Sequence, residues 1–144
     1  MKLILYTDGG ARGNPGPAGA GGLIYDTDKK VVKKFAQFLG KATNNQAEYQ
    51  ALVLGLELAK KISAQGRSVS GGKDTEVDCY LDSLLVVEQM NQKWKIKNKE
   101  LSVLFVKVWN LSQSFKKVNF YHIPREQNEA ADELVNEVID KNTL

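Results

Sequence analysis

At 144 residues the chain has room for one domain with a real hydrophobic core and too little for two comfortable ones. Its 42% hydrophobic and 26% charged content is that of an ordinary soluble globular protein, and no apolar run approaches the length of a membrane span, which sets aside a membrane-spanning role. The net charge of +3, from 20 Lys+Arg against 17 Asp+Glu, does not by itself prove a nucleic-acid partner, although the lysines come in clusters. Cys79 is the only cysteine, so no intrachain disulfide can form, and with His122 the only histidine a Cys–His nucleophile has one possible pairing that no spacing supports. The N-terminus enters a strand at once, without the pattern of a signal peptide, so a cytosolic protein is expected.

Leu3, Ile4, Leu5 and Tyr6 read as a short buried strand that ends on Asp8, followed immediately by Gly9 and Gly10. Glycine has no Cβ, so a second backbone can come close there. Ligands of open α/β sheets sit beyond the carboxyl ends of strands, which would hold Asp8 at the mouth of a crevice; an ordinary turn residue is the other reading. The run from Gly9 to Pro17 either offers bare backbone N–H groups to a ligand or is a plain connector. A strand from Ala18 to Asp26, a turn over Asp26–Lys30 and a return strand from Val31 to Leu39 form an antiparallel hairpin that closes at Gly40. Thr43 and Gln46 have the spacing of a capping box, and Ala51, Leu52, Gly55, Ala59 and Ile62 continue a helix to about Ile62. Glu48 lies on that apolar stripe, where a charge is rare unless it is paired or bound to metal.

Ser63 to Thr75 reads as a flexible surface loop with no chemistry in it. The strand Glu76–Leu81, with Cys79 in its middle as a packing residue, ends on Asp82 and so repeats the pattern of Asp8. Strand, helix, strand in this order predicts a right-handed crossover and parallel neighbours, with Asp8 and Asp82 at the same end of the sheet. Ser83 can cap a short helix over Leu84–Met90. From Asn91 to Lys99 lysines alternate with Trp94 and Ile96; this suits a phosphate backbone lying on an apolar platform, and equally a solvated linker with Trp94 tucked into the core. Leu101, Leu104, Phe105, Val108 and Leu111 form an amphipathic helix, and Lys116–Ile123 a fifth strand. After the loop Pro124–Asn128 a last helix begins at Asn128 or Glu126, with Asp132 at the border of its apolar stripe as a ligand or as a polar edge residue. No internal repeat is present, and the order β, β, β, α, β, α, α, β, α describes a mixed five-stranded sheet with helices on its faces.

Four acids then stand to meet: Asp8 and Asp82 from neighbouring strand ends, Glu48 from the crossover helix and Asp132 from the last helix. Clustered carboxylates repel one another and stay partly protonated unless cations neutralise them. Oxygen ligands select Mg²⁺ or Mn²⁺ over zinc. Two such ions roughly 3.5–4 Å apart can drive hydrolysis of a phosphodiester, the chemistry that fits both the acids and the nearby lysines.

Tyr6-Thr7-Asp8-Gly9-Gly10 with Gly13-Asn14-Pro15-Gly16-Pro17, Thr43-Asn44-Asn45-Gln46-Ala47-Glu48, Leu81-Asp82-Ser83 and Asn128-Glu129-Ala130-Ala131-Asp132-Glu133-Leu134 resemble type 1 ribonuclease H, in order and over nearly the whole chain. The resemblance implies a single ribonuclease H-like α/β domain over 1–144, with strands one to three antiparallel and strands one, four and five parallel. It implies a metal-dependent endonuclease that cuts the RNA strand of RNA–DNA hybrids by two-metal catalysis and leaves 5′-phosphate and 3′-hydroxyl ends. By that similarity Asp8, Glu48, Asp82 and Asp132 bind the metal, Mg²⁺ in the first place and Mn²⁺ as an alternative. Gly9, Gly10, Ala11 and Arg12, with Asn14, Asn44, Asn45 and Gln46, are expected to contact the RNA strand, whose 2′-hydroxyl suits amide and backbone groups. Thr43, Lys93, Trp94 and Lys95 are expected to grip the DNA strand. A cytosolic monomer that needs no protein partner is expected.

Two departures from the family pattern stand out. The basic helical protrusion of many members is missing between Met90 and Leu101. A mobile-loop histidine is replaced by Pro124–Asn128, where Arg125 is expected to take its place, with His122 a strand residue; an arginine stays protonated and so aids product departure rather than shuttling protons. Another nuclease of the same fold and a hybrid-binding module with weak or lost catalysis are the competing readings. The first is disfavoured by the amide-rich Thr43–Gln46 segment and the second by the presence of all four acids.

Overall fold

A computed structural model of the chain describes residues 1–65 and 71–143. In chain order the elements are β1 (Lys2–Ala11), β2 (Gly16–Tyr25), β3 (Val31–Ala42), α1 (Asn44–Gln65), β4 (Glu76–Leu81), α2 (Leu84–Met90), α3 (Lys99–Ser112), β5 (Lys117–His122) and α4 (Glu129–Asn142). The strands form one sheet in the order β3-β2-β1-β4-β5. β1, β2 and β3 pair antiparallel, while β4 runs parallel to β1 and β5 parallel to β4, as the element order predicts.

Alternation along the strands decides which helix covers which face. Leu3 and Leu5 of β1 and Val77 and Cys79 of β4 point to one side, where they join Leu52 and Leu56 of α1, Val86 of α2 and Val108 of α3 in a single buried cluster. α4 packs on the other side over β2. The pale stretch of β2 has its reason there: a Cβ on Gly19 would come within 2.8 Å of Val138 and 3.0 Å of Ile139, so the helix lies directly on strand backbone.

Several boundaries move from their sequence positions. β1 does not end at Asp8. Gly9, Gly10 and Ala11 continue the ladder against Ala20, Gly19 and Ala18, so a Gly-Gly pair that reads as a break is held extended by its partner strand. The loop expected from Gly9 to Pro17 therefore shrinks to the few residues between Ala11 and Gly16. β3 passes Gly40 and runs to Ala42. Ala18 pairs with Gly40 and Gly19 with Phe38, which leaves Leu39 as an extra residue in a bulge beside Gly40 at φ +72°. α1 extends to Gln65, so Ser63–Gln65 of the expected loop are helical; Gly71–Asp74 form a 3₁₀ turn, and residues 66–70 of that loop lie outside the described residues. β5 is one residue shorter at each end than Lys116–Ile123, and Arg125–Gln127 form a 3₁₀ turn before α4 starts at Glu129.

The capping box forms as its spacing predicts. Thr43 N–H donates to Gln46 Oε1 at 2.8 Å, and Gln46 N–H donates to Thr43 Oγ1 at 3.1 Å. This fixes the start of α1 one turn before Glu48. Among the described residues no helix is long and apolar enough to cross a membrane.

Candidate active site

The last parallel pair between β1 and β4 is Tyr6 with Tyr80. Asp8 and Asp82 each lie two residues further on, so both point to the same face of the sheet, just where the two strands part. Asp8 thus sits within a strand that has lost one neighbour, and Asp82 follows the end of β4.

Glu48 reaches them because α1 touches β1 at Gly9. A Cβ on Gly9 would lie 2.2 Å from the carbonyl carbon and oxygen of Ala47 and 2.5 Å from the Glu48 nitrogen. Only glycine lets the first turn of α1 rest on the strand. Gly9 N–H then donates to Glu48 Oε1 at 2.6 Å, and the other carboxylate oxygen, Oε2, is buried with no partner. One oxygen from each of Asp8, Glu48 and Asp82 lies within 4.8 Å of the other two.

Burial pushes the Asp8 carboxyl up to about 7; the neighbouring Glu48 works against the shift and the charge of Asp82 adds to it. Glu48 is driven well above the usual carboxylate range, by burial first and by the neighbouring Asp8 next. Asp82, half-buried, is raised by burial, against which a hydrogen bond from Asn128 and the charge of Arg125 act. Asp132 lines the same cavity of about 390 Å³ but stands outside the cluster of three, with its Oδ2 accepting from Asn136 Nδ2 at 3.3 Å. It still raises Asp8, by a hydrogen bond and then by its charge, and raises Asp82 by its charge. Three acids that resist ionisation around an unpartnered buried oxygen are a fit for a hard divalent cation, which would restore all of them to carboxylates.

Arg125 lines this cavity too, and so do Gly9, Gly10, Ala11, Arg12, Asn44 and Asn45. Much of that rim is already tied together. Ala11 N–H donates to Asn44 Oδ1 at 2.8 Å, and Asn44 N–H donates to Asn14 Oδ1 at 3.0 Å. The Arg12 side chain turns to α4, where it pairs with Asp140 and donates to the Asn136 carbonyl at 3.4 Å. Gln46 has both ends of its amide engaged, Oε1 in the capping box and Nε2 on Glu100 of α3. Asn14, Thr43, Gln46, Lys93, Trp94 and Lys95 do not line the carboxylate cavity; Gln46 instead lines a separate groove of about 580 Å³ between β3, α1 and α3. Trp94 is 45% exposed, which removes it from the core; Ile96 is the residue of that segment that packs inward. His122 ends β5 as a strand residue, and its position makes it one of the groups acting on Asp82.

Asn128 is a site residue that the sequence did not single out. It precedes α4 and looks like an N-cap, yet its side chain makes no cap hydrogen bond. It is 2% exposed, donates through Nδ2 to the Thr7 carbonyl at 2.8 Å, and reaches Asp82. It therefore pins the start of α4 to β1 beside the carboxylates. The signal for it is its place at the head of the motif Asn128–Leu134, four residues before Asp132, and that offset gives it no role until β1 and α4 are known to touch. Ser83 likewise lines the cavity while its Oγ accepts from Val86 N–H at 3.3 Å as the cap of α2.

A family described as reverse transcriptase-like matches residues 6–138. A bifunctional protein of Mycobacterium tuberculosis is 41% identical over 141 residues, covering 97% of this chain and 36% of that one, so the chain spans about a third of that relative. A ribonuclease H of Clostridium botulinum is 32% identical over 170 residues, covering 97% of each chain. Among solved structures, LC11 ribonuclease H1, isolated from compost and seen in complex with an RNA/DNA hybrid, superimposes with a TM-score of 0.89 at 40% identity over 99% of each chain.

Proposed function

The chain belongs to the type 1 ribonuclease H family, and from that premise we propose that it hydrolyses the RNA strand of RNA–DNA hybrids with Mg²⁺ held by Asp8, Glu48, Asp82 and Asp132. The observation that carries the reading is the gathering of three carboxylates within 4.8 Å, one of them with a buried oxygen that has no protein partner. Divalent ions bound there would polarise the scissile phosphate, activate the water that adds to phosphorus and stabilise the charge that leaves with the 3′-oxygen, giving 5′-phosphate and 3′-hydroxyl ends. Mn²⁺ meets the same oxygen ligands.

The chain's own residues do the rest. Gly9 N–H fixes the direction of Glu48, and the Asn128 hydrogen bond favours the charged form of Asp82 against the burial that opposes it. Asp132, outside the tight cluster but on the same cavity, completes the ligand set. Arg125 keeps its charge at the rim and helps the product phosphate depart. Asn44, Asn45 and the backbone of Gly9–Arg12 meet the RNA strand, with Asn14 and Gln46 setting the rim through their hydrogen bonds to Asn44 N–H and Thr43 N–H. Lys93, Trp94 and Lys95, exposed on the segment between α2 and α3, meet the DNA strand together with Thr43. Monomeric action in the cytosol belongs to the same reading.

The test uses purified protein with end-labelled RNA–DNA hybrid, DNA duplex and RNA duplex in Mg²⁺. Cutting of the hybrid's RNA strand alone, with the stated ends, is the expected result. Cutting of duplex DNA, or tight hybrid binding with no cleavage, would replace this reading with one of its two competitors.

A further inference from the structure

α2 contributes one buried polar side chain that the site does not use. Gln89 is 4% exposed among Val86, Val87 and Met90. Its Oε1 accepts from the hydroxyl of Tyr49 at 2.6 Å, and its Nε2 donates to the backbone carbonyl of Lys95 at 3.4 Å. Tyr49 is fully buried and is the neighbour of Glu48 on α1. A short polar chain therefore runs through the core from the turn that carries Glu48 to the middle of the lysine-rich segment. Buried polar groups of this kind are costly unless satisfied, and satisfied they fix one geometry.

The rest of the segment is held just as firmly. α2 ends in a Schellman motif: Gln92 N–H donates to the Gln89 carbonyl at 3.0 Å and Lys93 N–H to the Glu88 carbonyl at 2.9 Å, with Gln92 at φ +62°. Ile96 packs on the core. Asn98 caps α3, its Oδ1 accepting from Leu101 N–H at 3.1 Å, and Glu100 on the first turn of α3 takes the amide of Gln46. The chain from Lys93 to Asn98 has no regular secondary structure, yet it is anchored at its start, its middle and its end, while Lys93, Lys95 and Lys97 stay exposed. The middle anchor leads back to the turn that carries Glu48.

We infer that Gln89, through Tyr49 and the Lys95 carbonyl, is a positioning residue that sets where the basic segment meets the substrate relative to the catalytic carboxylates. This rests on the reading above, in which that segment contacts the hybrid. In that reading three exposed lysines on one short segment carry phosphate contacts, so their fixed placement matters.

The experiment compares wild type, the double variant Tyr49→Phe/Gln89→Met, the triple variant Lys93→Ala/Lys95→Ala/Lys97→Ala, and the combination of both sets. The double variant removes the two side-chain members of the polar chain together, so neither is left orphaned and only the Lys95 carbonyl loses its donor, and it keeps an apolar core of similar volume. Gln89→Met alone strands the Tyr49 hydroxyl and serves as the harsher comparison. All are checked for folding by thermal melting, then assayed for KM, kcat and hybrid affinity against salt. The double variant should raise KM about three- to tenfold, lower kcat less than it raises KM, and flatten the salt slope; added to the lysine triple it should change KM little further. A folded double variant with the KM and salt slope of wild type overturns the inference, as does full additivity with the lysine triple. If the lysine triple itself leaves the salt slope unchanged, the substrate reading of the segment falls, and the positioning role falls with it. A changed triple beside an unchanged double leaves that reading standing and removes Gln89 alone.

Discussion

At the scale of single residues the site is defined by acids that do not want to ionise together. Asp82→Asn keeps the shape of the side chain and removes a charge and a ligand. Changes one shell out from a metal typically cost 10–100-fold, so turnover should fall by about 10²-fold or more while hybrid binding persists. Steady-state cleavage beside equilibrium binding checks this, and normal turnover would take Asp82 out of the site. A second prediction concerns pH. Asp8 titrates at 3.8 when free and at about 7 when folded, so the folded state holds this proton more tightly. The stability it contributes is fully present below about pH 4 and is lost as the pH rises through about 7. Glu48 is shifted in the same direction. In metal-free protein, Asp8→Asn should therefore raise Tm by several degrees at about pH 8 and by much less at about pH 5, and Mg²⁺ should narrow the difference. Calorimetry at the two pH values checks it, and an equal change at both would place the burial cost elsewhere. Asp8, Glu48 and Asp82 were all legible as candidates in the sequence, Glu48 because a charge on an apolar helix stripe is rare, Asp8 and Asp82 because the strand-then-aspartate pattern recurs and the crossover brings the two together. Asn128 was not, since a buried asparagine before a helix has the same local pattern as a cap.

Among the elements, the contact that matters most is the first turn of α1 on β1. It depends on Gly9, where any Cβ would collide with backbone that cannot swing away. Gly9→Ala should cost about 1–3 kcal/mol in stability and should cut activity further, because the first turn of α1 must shift and carry Glu48 away from the backbone N–H that aims it. Gly10→Ala is the control: its nearest neighbour would be Asn44 Oδ1 at 4.0 Å, so stability should hold. Urea denaturation of the two variants separates them, and equal destabilisation would refute the close-approach account. Element types and their order were legible because period, capping residues and apolar runs agree locally. Their ends were less so. β1 outlasts its glycines and β3 outlasts Gly40, since a ladder partner supplies hydrogen bonds that a local reading of turn residues does not count. In the same way Trp94 could be assigned to core or surface from its neighbours, and it is the packing of Ile96 that leaves it outside.

For the whole molecule, the open question is how a chain of charge +3 holds a polyanion beside four acids. On the proposed reading its lysines do this by position rather than by number. Replacing Lys93, Lys95 and Lys97 by alanine should lower the slope of log affinity against log salt by about two to three, as expected for the loss of that many phosphate contacts. Fluorescence anisotropy with a labelled hybrid over a salt series measures it, and an unchanged slope would show that these side chains face away from substrate. The sequence alone determined the mixed sheet, the crossover that makes β1 and β4 parallel, and the residues able to act as ligands, because those follow from periodicity, handedness and the rarity of charge on buried faces. Only the tertiary structure decided that all four acids line one cavity, that three of them lie within 4.8 Å of one another with Asp132 just outside that cluster, and that the amide of Gln46 serves its own helix and α3. Such facts depend on distances across the sheet and between helices, set by packing between residues far apart in the chain, and no local pattern of residues encodes them.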